Sequence, residues 1–170
     1  MTRAFPCRMP EILAVVDQND KVVGSAALEE VYARKLPHRI VLILVFNEKG
    51  EMALQLRSKH KSFCPHHWVT AVGGHVRAGE TAEQAALREF QEELGTTTII
   101  KQAFKDRYDG WSAPKFLTIF TAIYTGGFDI NPLEVEAVEW FSLAKIREML
   151  ANNGKLHPEL RFILERHYTK

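Results

Sequence analysis

Residues 73–96 read GGHVRAGETAEQAALREFQEELGT and hold the densest chemistry of the chain. Thr81 to Leu94 has the composition of a helix. Thr81 can cap its start, and Gly95 follows its end as a helix stop does. On that helix Glu89, Glu92 and Glu93 stand at i, i+3 and i+4, which places three carboxylates on one face. Leu87, Phe90 and Leu94 can form the apolar face. Like charges four residues apart weaken a helix by about 0.2–0.5 kcal/mol, and Arg88, near Glu92 at i+4, neutralises only one of them. A cluster of hard oxygen ligands suits Mg²⁺ or Mn²⁺, and magnesium usually also holds phosphate oxygens. A Gly73-Gly74 turn would expose backbone carbonyls and permit close approach of a ligand. The plain rival is an acidic, solvated helix face with incidental ion pairs.

Outward from this segment, strands and helices interleave. Glu11 to Val16 is apolar and stops at DQND. Val22-Val23 then returns it as a hairpin, and Ala26 to Ala33 can form a short helix before Pro37. Ile40 to Phe46 is too continuous for a half-buried strand and fits a central strand covered on both faces. Residues 47–50 turn the chain. Met52, Leu54 and Leu56 alternate with other residues as a half-buried strand does. Lys59 to His67 is a basic, histidine-rich loop, and Trp68 to Val72 is a short strand that the two glycines break. Thr96 to Ile100, β-branched throughout, and Phe116 to Tyr124 read as strands, and Val135 to Phe141 is the last one. Ser142 can cap a helix through Leu150, and Pro158 can sit in the first turn of another. The pattern is α/β or α+β layering.

The 170 residues suit one domain, taken as 1–170 with an N-terminal hairpin and short helix over 1–36. Lys and Arg number 22 against 21 Asp and Glu, for a net charge of +1, so no global field points to nucleic acid or an anionic membrane. The longest apolar run falls far short of the roughly 20 residues of a membrane helix. The start, MTRAFPCRMPE, lacks the apolar stretch of a signal peptide. Cys7 and Cys64 alone make no disulfide framework. A cytoplasmic protein is the expectation.

The residues then reach a resemblance. Gly74, Glu80, Arg88, Glu89, Glu92, Glu93 and Gly95, with their spacing, resemble the Nudix box (residues 74–95). With each type at roughly 5–8% usage, a chance match is on the order of one in a million. Thr96 departs from the aliphatic residue usual after the last glycine and is similar in size to Val. The resemblance implies a Nudix-like α/β/α sandwich with a mixed β-sheet. It also implies metal-assisted hydrolysis of a diphosphate linkage, usually in a nucleoside diphosphate joined to another group. Glu89, Glu92 and Glu93, with the carbonyl at Gly74, would hold Mg²⁺, or Mn²⁺ in its place. Arg88 would pair with Glu80 and orient the carboxylates. A further glutamate outside the box is often a ligand or base in the family. Glu134, Glu136 and Glu139 are the candidates, and Glu134 is favoured.

Segments outside the box resemble the branch that holds isopentenyl-diphosphate isomerase and its hydrolase-like relatives: LPHRIVLILVFN, LQLRSKHKSFCPHHWVTAVGGHV and EVEAVEWF. The isomerases use a cysteine where this chain has Gly73. His38 and His75 fit two of their three metal histidines, but the first falls on Val31. These departures favour hydrolysis over isomerisation. A non-catalytic nucleotide-binding module is the third reading. Arg57 at a strand end is a candidate for binding substrate, against a solvated strand end. Trp111, in a turn, is a candidate for lining the pocket, while Phe116 and Trp140 read as core. His60, His66, His67 and His75 with Cys64 do not show zinc spacing. The partner expected is a small diphosphate-containing substrate. Relatives are often dimers, which leaves a homodimer open.

Overall fold

A computed structural model of the chain describes residues 10–110 and 112–168. Strands β1 (Ile12–Val16) and β2 (Val22–Ala27) form the N-terminal hairpin, followed by α1 (Leu28–Ala33). Then come β3 (His38–Phe46), β4 (Met52–Arg57), β5 (Trp68–Thr70), β6 (Val72–His75) and α2 (Ala82–Leu94). The chain continues through β7 (Lys101–Asp109), β8 (Pro114–Ile123), β9 (Val135–Phe141), α3 (Leu143–Ala151) and α4 (Pro158–His167). The strands make one mixed sheet. β3 runs parallel to β8 and antiparallel to β1, β4 and β6. Among the described residues no helix is long and apolar enough to cross a membrane.

The continuous apolar run of β3 is explained by its two buried faces. Ile40, Leu42 and Leu44 pack with Ile146 and Leu150 of α3 and Leu160, Ile163 and Leu164 of α4. Val41, Ile43 and Val45 alternate to the other side and meet Ala85, Ala86, Phe90 and Leu94 of α2. The result is the α/β/α layering and mixed sheet that the resemblance implies.

Local signals set the helices. Thr81 Oγ1 accepts from the Gln84 N–H at 3.1 Å while the Gln84 side chain accepts from the Thr81 N–H, a complete capping box. Gly95 closes α2 at φ +65°. Ser142 caps α3 through the Lys145 N–H, and Pro158 opens α4.

Four readings are corrected. Gly73 and Gly74 lie inside β6, paired with Leu42 and Val41, so they are strand residues and not a turn. The break falls instead at Ala71, between β5 and β6. β4 is covered on both faces, with Met52 to Gln55 all buried, because Met52 and Leu54 pack on the α3 and α4 side while Ala53 packs on the α2 side. Thr96 to Ile100 is not a strand, and Ile99 is 90% exposed. The strand there is β7, an edge strand that among the described residues pairs only with β8. Its one covered face lets KQAFKDRYD stay largely polar. Phe116 is half-buried under the Arg107 guanidinium rather than in the core, and Trp140 packs partly buried against the α2 side.

A side chain at Gly95 would place its Cβ 2.6 Å from the Asp129 carbonyl, at a positive φ. Gly95→Ala is expected to lower unfolding free energy by about 1–3 kcal/mol, measured by urea titration.

Candidate functional site

Glu89 and Glu93 do not sit on a solvated face. They share the buried face of α2 with Ala86, Phe90 and Leu94, while Glu92 is exposed. Glu89 lies over the bare backbone of Gly74, where an added Cβ would come within 2.2 Å of its carboxyl carbon. This is a close approach only glycine allows.

Arg88 holds the segment together. Its Nε and Nη2 donate to the two oxygens of Glu80 at 2.8 and 3.0 Å, a bidentate fork. Nη2 also donates to the His75 carbonyl at 2.9 Å, and Nη1 donates to Glu89 Oε1 at 2.6 Å. The Arg77 N–H donates to Glu80 Oε2 at 3.0 Å. The loop between β6 and α2 is thereby tied to the helix. Glu92 lies 3.4 Å from Arg88 Nη1 and 3.6 Å from Arg77 Nη2.

A cavity of about 650 Å³ opens beside these groups. Glu89, Glu93, Gly74 and Glu134 line it, and Gln55 of β4 donates to Glu93 Oε2 at 2.9 Å. Glu134 precedes β9 and pairs with Lys61. Glu136 faces His66 at 3.2 Å. Arg57 lines the cavity, but its Nε and Nη2 both donate to the Phe63 carbonyl, at 3.1 and 2.9 Å. It fastens the 58–67 loop and is not a loose cation. Trp111 lies outside the described residues. His60, His66 and His67 are on the loop, and His67 Nδ1 lies 2.8 Å from the Pro65 carbonyl. His38 and His75 stand with ring centroids 5.5 Å apart.

Sequence reasoning missed Gln55, Tyr32, Lys115, His157 and Glu159, all of which border the cavity. The available signal was a polar residue set in or beside an apolar strand, as Gln55 is in MALQL and Lys115 is before FLTIF.

Burial is the main influence on the carboxyls. It pushes Glu89 up to about 7, against the opposing pull of Arg88. Glu93 is raised well above the usual range by burial and then by Glu89. Arg88 pulls Glu80 down, more than offsetting its burial. Burial takes His157 down to about 4 and also lowers His38.

Comparison with known proteins bears on this geometry directly. The NUDIX domain model matches residues 36–161, spanning the box and the sheet around it. The chain belongs to the NUDIX domain family. It is 34% identical over 147 residues to an uncharacterized Nudix hydrolase of Streptomyces coelicolor, covering 85% of this chain and 80% of that protein. It is 32% identical over 149 residues to isopentenyl-diphosphate Delta-isomerase 2 of Photorhabdus laumondii, covering 85% and 84%. In fold it is similar to a crystallised Deinococcus radiodurans protein, with TM-score 0.82 and 24% identity over 93% of this chain and 99% of that one. The chain is a Nudix-type hydrolase acting on diphosphate bonds.

Nudix hydrolases generally use divalent cations, and the donor chemistry here fits one. Two buried carboxylates that resist ionisation side by side are relieved by a cation. Among the described residues no three His, Cys, Asp or Glu side chains are gathered as a metal would hold them. The box carboxylates turn to Arg88, Arg77 and Gln55 instead.

A carboxyl raised on folding binds its proton more tightly in the folded state. Its contribution is full at low pH and is lost between 4.5 and about 7 for Glu89. The lowered histidines act oppositely, below 6.5. The melting temperature of the metal-free protein is therefore expected to fall as pH rises from about 6.5 to 8, and less so in Glu89→Gln. Mg²⁺ or Mn²⁺ is expected to restore it at the upper end. A melt flat across that range would contradict the assignment.

Proposed function

We propose that the chain hydrolyses, with Mg²⁺ or Mn²⁺, the diphosphate linkage of a nucleoside diphosphate derivative or another small diphosphate compound. The observation that carries this is the pair of buried carboxylates, Glu89 and Glu93, at a cavity wall beside the Arg88–Glu80 fork. Glu89, Glu92, Glu93 and the Gly74 carbonyl would hold the cation. When bound it neutralises phosphate oxygens and helps ionise the attacking water. Arg88, fixed by Glu80, sets the direction of the Glu89 carboxylate, and Gln55 sets that of Glu93. Glu134, which lines the cavity and pairs with Lys61, would take the proton of the water. Arg57 serves by holding the loop that roofs the cavity.

The isomerase of Photorhabdus laumondii keeps a second reading in view. Against it stands Gly73, where that chemistry wants a thiol. A Cβ there would meet Leu42 Cδ2 at 3.0 Å, so the Leu42 methyl would have to give by a few tenths of an ångström to admit a cysteine. Cys64 is on the loop, and burial pushes its thiol up.

A phosphate-release screen over nucleoside and isoprenoid diphosphates, with each metal, tests the proposal. Glu93→Gln is expected to lose turnover by about a hundredfold or more, and Arg88→Gln by about 10–100-fold, as partners that orient ligands do. Release unchanged in Glu93→Gln would overturn the assignment. Interconversion of the two isoprenoid diphosphates would favour the second reading.

A further inference from the structure

Residues from both faces of the sheet line the cavity. On one side it meets the carboxylates of α2 over Gly74. On the other it is bordered by Gly73, Leu42, Lys115 of β8 and the start of α4. That far end is not apolar. Lys115 of β8, His157 at the cap of α4 and Glu159 in its first turn are 7%, 5% and 7% exposed, and all three line the cavity.

Lys115 Nζ donates to Glu159 Oε1 at 2.5 Å and stands 5.4 Å from the Tyr32 ring centre. An ammonium has three hydrogens, and Glu159 takes one. Glu159 Oε2 is 3.9 Å from His157 Nδ1, beyond hydrogen-bond reach. His157 Nδ1 already accepts from the Glu159 N–H, which leaves the ring's hydrogen on Nε2. A donor and an acceptor thus stand side by side at the wall, and neither is used up within the protein.

Stability does not account for the pair. Leu160, Ile163 and Leu164 already seat α4 on the sheet, each fully buried. Buried ion pairs are often no more stabilising than apolar residues of the same volume. A hydrocarbon chain in this end would cut the pair off from water and return no hydrogen bond. A ring edge presenting an acceptor beside a donor would satisfy both.

We infer that Lys115 and Glu159 form a specificity subsite at the end of the cavity away from the box, which takes the donor–acceptor edge of a nucleobase and discriminates against an alkyl group. The inference rests on the hydrolase reading for where the diphosphate lies, and names the class of group attached to it.

Binding tests this apart from turnover. The probes are the nucleoside α,β-methylene diphosphates and dimethylallyl methylenediphosphonate, titrated calorimetrically with Mg²⁺. At least one nucleoside probe is expected to bind the native protein about tenfold or more tighter than the alkyl probe, since a site built for hydrogen bonds rejects ligands that lack them. The double variant Lys115→Met/Glu159→Leu keeps the packing volume, and its melting temperature checks the fold. It is expected to lose that preference while its affinity for the alkyl probe holds or rises. Should the double variant fail to fold, Glu159→Gln is the second test. It keeps the shape but changes one acceptor to a donor, and is expected to change which nucleoside probe binds best. Equal binding of nucleoside and alkyl probes by the native protein would overturn the inference. So would a preference that survives both substitutions. Discrimination in binding with no phosphate release from any substrate would retire the hydrolase reading and leave the subsite standing.

Discussion

Glu89 lies in the space that a side chain at Gly74 would need. The strand there is held in register by Val41 of β3, so the glycine backbone is a fixed platform. The helix above it can approach only because nothing projects from that platform. Once the helix is that close, the carboxylate is shut off from water and leans on Arg88, and Arg88 in turn holds Glu80 and the His75 carbonyl. A single missing methyl group therefore sets the distance between helix and sheet, the burial of the carboxylates and the path of the connecting loop. The positions of Glu93 against Gln55 and of the cavity mouth follow from the same approach.

Much of this was legible. The helix ends were written in Thr81 and Gly95, because caps are local and need no partner from elsewhere in the chain. The unbroken apolar run of β3 announced its two covered faces, since only burial on both sides favours such a run. The box residues were picked out by spacing. Their surroundings were not. A glutamate on a helix reads as solvated, and only the strand beneath it makes it buried. The Gly73-Gly74 pair reads as a turn in isolation and becomes strand because β3 supplies a partner. β7 escaped notice because an edge strand with one covered face carries little apolar patterning, while the β-branched run before it has no neighbour to pair with. Lys115 and Glu159 are 44 positions apart in sequence and meet only in three dimensions. Arg57 does line the cavity, and its grip on the Phe63 carbonyl was invisible in the sequence because a loop contact of this kind carries no local signal.

The central strand also sets the order in which the molecule can be assembled. β3 has neighbours before it and after it in the sequence, and its long parallel partner β8 belongs to the second half of the chain. Parallel pairing at such separation requires closing a long loop before any contact rewards it. On a ribosome, the most apolar segment of the protein emerges early and stays without its main partner until β8 has been made. α3 and α4, which cover one of its faces, come later still. The site's own parts are ready sooner: β6 and α2 are adjacent in sequence and their caps are local. The box segment is thus among the earliest pieces able to take shape, and the strand that supports it among the last to be enclosed.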